Sequence, residues 1–491
     1  MSARTRVAAV AGSAAVMVVA AGVVAAGNPA AEPAAASIEP VASSRVVCPD
    51  PVGTPQINST VSAFVVPGLP GQEGRGRAAI DAQGKGKPGE TTTARIDAVG
   101  GSASLTTAGH PLPPVVGTAA GALAPGFVVD QLTYADSGDD RGLAALACAS
   151  PGTDAWFVGG GSRAGRTTVV VLANPENNAA QADVLLYSPS GQQAAPGGRG
   201  IVVPARRQVR LVLSTLAPGV EAFAIHVAVR SGRLAAAVSD QEVFGLEPKG
   251  TDWVPTATPP ARRVVVPGIP ARVPGVTLWI AAPDGDASVK LRVFSNDGAF
   301  VPAGSESVDV PAGSLVKVQL AKVLDGSPAA VELVSDAPVV AGAVYETFTS
   351  DRQREYGYAA GARALTGPAA IAGMPGGEDA DGRVVLTSVG SAARVGIKLV
   401  PVGGGQATSR TVRVPADTTI VVPLTPPVAG KAFNVVVTPP AAGAAAVYAA
   451  RLSVRRGASA IGATSYPLTT VRATVAVPAA GASLGAALPA G

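Results

Sequence analysis

The chain has 491 residues, 38 of them Lys or Arg and 34 Asp or Glu, for a net charge of +4, and no basic run exceeds two. That length is too great for one core, and that charge excludes an electrostatic footprint for nucleic acid. Hydrophobic residues make up 47%, yet only 4% are aromatic and 15% charged, so Ala and Val carry the apolar mass, while 59 Gly and 43 Pro favour many turns over long helices.

Arg4 and Arg6 precede Val7–Gly27, a stretch of 21 residues without a charge. Length favours a signal-anchor helix with the arginines in the cytoplasm. Small residues near Ala25–Gly27 and Pro29–Ala36 leave a cleaved signal peptide as the alternative. Residues 1–27 are thus an anchor or signal, and 28–45, rich in Ala, Pro and Ser, a tether. Both readings place the remainder outside the cytoplasm, anchored to the membrane or secreted.

The two cysteines, Cys48 and Cys148, are an even count in an exported chain and predict one disulfide. A lipoprotein role for Cys48 fails because Arg45-Val46-Val47 precede it in place of an apolar core. Residues 46–157 read as a degenerate β-sandwich, with a loop expected across Gly68–Glu90. The run Leu123-Ala-Pro-Gly126 followed by an apolar hairpin parallels Leu216-Ala-Pro-Gly219 and suggests a shared final hairpin.

From Thr167 to Asp240, short Val/Leu/Ile runs alternate with Asn-Pro, Ser-Pro-Ser-Gly, Pro-Gly and Ser-Gly, the pattern of antiparallel strands and tight turns. The outline returns at Val276–Glu346 and Arg383–Val454. Val-x-Val-Pro-Ala at Pro311 and Pro415, and the near match Ile-Val-Val-Pro-Ala at Pro204, pin the register at steps of 107 and 104 residues. This gives sandwiches over 158–261, 262–372 and 373–491, the last with a C-terminal tail. A proline-rich connector is expected between Trp253 and Pro274 and a softer one over Gly361–Gly382. Rings recur at the junctions: Trp156, Trp253, Tyr356 and Tyr466, each expected after the last strand of its unit. Packing between units is the expected role, and a row of exposed rings facing a polymer is the rival.

The export segment, Val47-Cys48-Pro49, the second cysteine shortly before Trp156-Phe157, Leu172-Ala-Asn-Pro175 and the Val-x-Val-Pro-Ala strands together resemble an uncharacterised family of exported actinobacterial proteins. That family is defined only as a domain of unknown function. The resemblance implies no activity, substrate or catalytic residue.

Motifs of catalysis find no supporting context. Of two histidines, His110 falls in a turn and His226 in a strand, with no Ser or Asp motif nearby, so neither a zinc site nor a triad is expected. Gly481-Ala-Ser483-Leu-Gly485 matches G-x-S-x-G, but no His follows it. Gly84-Lys-Gly86-Lys-Pro-Gly89 matches G-x-G-x-x-G, but Pro88 opens no helix. The acidic turns Asp136–Asp140, Asp284–Asp286 and Glu378–Asp381 lack the spaced ligands of a calcium loop. Asn58-Ser-Thr60 is a glycosylation match without weight.

The sequence therefore predicts an all-β chain of tandem immunoglobulin-like β-sandwiches after an N-terminal hydrophobic helix. A propeller would need a period of about 40–50 residues. The expected function is that of a non-enzymatic cell-envelope spacer or assembly scaffold, with no cofactor, metal or nucleic acid. A module binding envelope polysaccharide or a partner protein is the alternative, and an enzyme with an inter-domain site the third reading.

Overall fold

The computed structural model describes residues 37–51, 57–83, 92–108, 114–348, 354–441, 443, 445–455 and 462–477. The anchor or signal over 1–27, His110, Gly84–Gly89 and Gly481–Gly485 lie outside them. Among the described residues no helix is long and apolar enough to cross a membrane. The described residues are all-β, and among them helix is confined to the short turns Pro196–Gly198, Leu213–Leu216 and Ala321–Leu324.

Two compact parts are present. The small one is an antiparallel ribbon of Ser37–Pro40 with Thr474–Val477. The large one is a body spanning Val41–Ala473. Within the body one pairing order recurs four times, and we call each occurrence a module. In module one the first, sixth, third and fourth strands form one sheet: Ser43–Cys48, Val115–Gly121, Gly76–Ala82 and Thr93–Ile96. The fifth, second, seventh and eighth form the other: Ser102–Ala108, Asn58–Val65, Phe127–Ala135 and Gly142–Ala147. Alternating apolar residues of both sheets meet in one core that holds Ile80, Val61, Val65 and Val129. Ile80 belongs to a strand within the expected loop, so that part of the Gly68–Glu90 reading is corrected.

Modules two and four repeat this order, with cores around Leu172, Leu186 and Phe223, and around Leu386, Ile397 and Phe433. Module three fuses its sixth and seventh strands into Ala329–Phe348. The first part of that strand pairs with Ala261–Ile269 and Ala287–Ser295, and the last part with Gly275–Ala282 and Arg354–Ala360. Pro338, which lacks an amide donor, sits where the strand passes from one sheet to the other.

The two Val-x-Val-Pro-Ala motifs and Ile201-Val-Val-Pro-Ala205 mark one place in the fold. Pro204, Pro311 and Pro415 each follow the fourth strand of a module, and the second residue beyond each, Arg206, Gly313 and Asp417, has positive φ (55°, 70° and 54°). The left-handed residue turns the chain across to the other sheet at all three sites.

Four readings need correction. Asp154–Gly159 pairs with Phe223–Ser231 and Ala369–Met374 with Phe433–Thr438, so modules two and four begin before 158 and 373. The expected connector after Trp253 contains the strand Ala261–Ile269, bulged beside Pro267 at Gly268 (φ 88°). The softer connector likewise contains Ala369–Met374. The two Leu-Ala-Pro-Gly runs are not equivalent: Gly126 precedes a seventh strand and Gly219 a sixth.

Cys48 and Cys148 are joined, closing a separation of 100 residues between the first strand of module one and the end of its eighth. In the chain-entropy account a loop of that length stabilises by about 4.7 kcal/mol.

Candidate functional site

The eighth strand of each module is its closing strand, and the four meet: Gly142–Ala147, Glu247–Val254, Arg354–Ala360 and Ala463–Pro467. The first touches the second, the second the third, the third the fourth, and the fourth the first. The body is thus closed on itself, and three of the closing strands place residues in a neighbouring module's core. Trp253 of module two lies in the core of module one. Tyr356 and Tyr358 of module three lie in the core of module two. Ala145 of module one lies in the core of module four.

At the joint, buried polar groups link modules that are far apart in sequence. Arg141 and Glu355 form an ion pair at 2.6 Å with side chains 9% and 2% exposed. The same guanidinium donates to the carbonyls of Pro248 (3.2 Å) and Arg354 (3.4 Å). Three glycines make room for the carboxylate. A Cβ at Gly250 would stand 2.8 Å from Glu355 Oε2, one at Gly142 3.3 Å from it, and one at Gly462 2.8 Å from Glu355 Cβ. The Thr464 hydroxyl donates to Asp252 Oδ1 (2.8 Å) and accepts from the Ala145 amide (3.2 Å), and the Trp253 amide also donates to Asp252 (2.8 Å). Burial pushes the Asp252 carboxyl well above the usual carboxylate range, although these hydrogen bonds pull it down. The Ser465 hydroxyl lies 3.1 Å from the carbonyl oxygens of both Gly268 and Tyr358, which share its single hydrogen.

Two further clusters seal the seams. Arg166 grips Asp240 through Nε and Nη2 (3.0–3.2 Å), and the Tyr358 hydroxyl donates to Asp240 at 2.6 Å. On the seam between modules one and four, the Ala372 amide donates to Asp130 (2.6 Å), while Arg451 lies 4.0 Å from Asp130 and donates to Ser453 (2.9 Å) and Tyr466 (3.3 Å). Burial raises the Asp130 carboxyl to about 6, against the pull of Arg451 and the Ala372 amide.

These acids are bonded into the joint. The opening beside Asp252 and Trp253, also lined by Pro51, Ile57 and Thr133, measures about 20 Å³, room for one water and not for a substrate. No group of three or more His, Cys, Asp or Glu among the described residues could hold a metal ion. A larger cleft, of about 230 Å³, opens between modules one and four beside Leu132, Leu143, Pro375 and Arg455.

The junction rings Trp156, Trp253, Tyr356 and Tyr466 are 4%, 3%, 6% and 3% exposed. The last three occupy closing strands. Trp156 does not: it lies on the first strand of module two, and the closing strand of module one, Gly-Leu-Ala-Ala-Leu-Ala, has no ring. Trp156 instead stacks on His226 (centroids 4.1 Å apart) and packs with Trp279 between modules two and three. His226 has an acidic partner that the sequence reading missed: Asp154 Oδ1 is 2.7 Å from its Nε2. The two are 72 residues apart, and cross-strand pairing of Trp156 with His226 brings them together.

The pairing order and the shared joint define an all-β protein of four modules closed around their eighth strands. The chain belongs to a family of unknown function, DUF5719, whose model matches residues 99–425. That span includes the closing strands of modules one to three. Neither a curated protein nor a solved structure matches the chain.

Proposed function

We propose that this protein is a non-enzymatic scaffold of the cell envelope, held outside the cytoplasmic membrane and built from four β-sandwiches. The sandwiches are immunoglobulin-like in layering but not in connectivity. In an immunoglobulin domain the first strand lies beside the second and the seventh beside the sixth; here the first lies beside the sixth and the seventh beside the second. The observation that carries the scaffold reading is the four-way joint, where buried charges and hydroxyls are spent on holding modules in fixed register. Burial of all four junction rings favours this reading over a polysaccharide platform, which needs exposed faces. The Cys48–Cys148 bridge supports an oxidising, extracytoplasmic setting.

Photo-crosslinking of the protein in intact cells, followed by fractionation, tests the reading. Discrete protein adducts in the salt-washed membrane fraction are expected. Recovery in the cytoplasm, or retention on purified wall polysaccharide with no protein adduct, would overturn it.

A further inference from the structure

We infer that the cleft between modules one and four is a peptide-binding site, taking one aliphatic side chain of an extended segment in which that residue stands between an acidic and a basic one. Leu132 and Leu143 come from the seventh and eighth strands of module one, Pro375 from the turn into the second strand of module four, Ala380 from the start of that strand, and Val454 from the seventh strand of the same module. The volume of about 230 Å³ falls below the ~300 Å³ at which pockets for drug-sized ligands begin, so the cleft suits one side chain rather than a cofactor.

Its rim supplies the chemistry around that side chain. The Arg455 guanidinium lies over the Tyr134 ring at 3.9 Å and has no acidic partner among the described residues. Stacking orients its edge donors, which suit a carboxylate. Glu378 and Asp379, also lining the cleft, are exposed and carry no ion pair among the described residues. Both signs at the mouth of an apolar cleft complement a peptide that brings both signs about one apolar residue. A lipid tail would leave the charges without use, and a neutral glycan would leave the apolar walls without use. The assignment does not depend on the scaffold reading, since a peptide could dock whatever else the body does.

The test is fluorescence polarisation of the full chain with two labelled peptides, GSKLDSG and GSDLKSG, and their alanine-centred controls. Saturable binding of at least one leucine peptide is expected, with its alanine control weaker by about tenfold. Two variants locate it. Arg455→Gln removes the guanidinium and should weaken binding by about tenfold. Gly377→Trp fills the mouth and should abolish binding; a Cβ at Gly377 meets nothing within 4 Å, so this variant should fold. Binding unchanged in both variants would overturn the site. Failure of both leucine peptides to bind, or competition by free leucine as strong as by unlabelled peptide, would overturn the peptide assignment.

Discussion

A single carboxylate shows how much the joint asks of individual side chains. Glu355 is buried with Arg141 where three glycines crowd it. Replacing it by Gln keeps the shape but leaves a guanidinium buried without its counter-charge. Stability to urea should fall by about 3–5 kcal/mol, and adding Arg141→Met should restore part of that loss. Asp130 makes a pH-dependent contribution. Its folded value of about 6 lies above the ordinary 3.8, so the folded state holds the proton more tightly. The resulting stabilisation is full below about pH 4 and is lost as pH rises through 6, by about 3 kcal/mol in all. Urea midpoints of the parent and Asp130→Asn measured across pH 4–7 check this. The parent should lose stability relative to the variant as pH rises, and parallel curves would show that folding leaves the affinity of Asp130 for its proton unchanged. None of this was legible in the sequence, where Asp130 and Arg451 stand 321 positions apart and no pattern couples them.

Elements were far more legible than their partners. Alternating Val runs between Gly and Pro turns announce the strands, and the three Val/Ile-x-Val-Pro-Ala motifs mark the same turn because a fixed backbone path demands a left-handed residue there. Leu-Ala-Pro-Gly misled because the same turn chemistry serves two different connections. Trp156 misled because its spacing to Trp253 is near the module period, though it sits on a first strand and not a closing one. Three closing strands set a residue into a neighbouring module's core, and in Glu247–Val254 that residue is the ring of Trp253. Trp253→Ala should therefore cost about 3–5 kcal/mol. The loss should appear in module one, read as faster amide exchange over Val61–Val65 and Val129, which share its core. Unchanged exchange there would separate Trp253 from that core.

At the scale of the molecule, four β-sandwiches were expected in tandem, and four modules of one pairing order are found closed on themselves. A row needs only neighbours in sequence to touch, which the repeats and connectors suggest. Closure depends on contacts such as the Ala145 amide on the Thr464 hydroxyl, 319 residues apart, for which local pattern offers no signal. That bond also sets a clock for the export proposed above. A chain that emerges amino end first presents Ala145 long before Thr464 exists to receive it, so the earliest module waits for the last one. Contacts of such range form slowly and leave apolar edges open in the meantime. Chains arrested before 462 should keep module one open to protease despite holding all its strands, and chains carried past 467 should protect it. A first module that resists protease in both would mean that it completes itself alone. A chain exported as proposed above keeps apolar edges uncovered on the far side of the membrane until Ala463–Pro467 arrives.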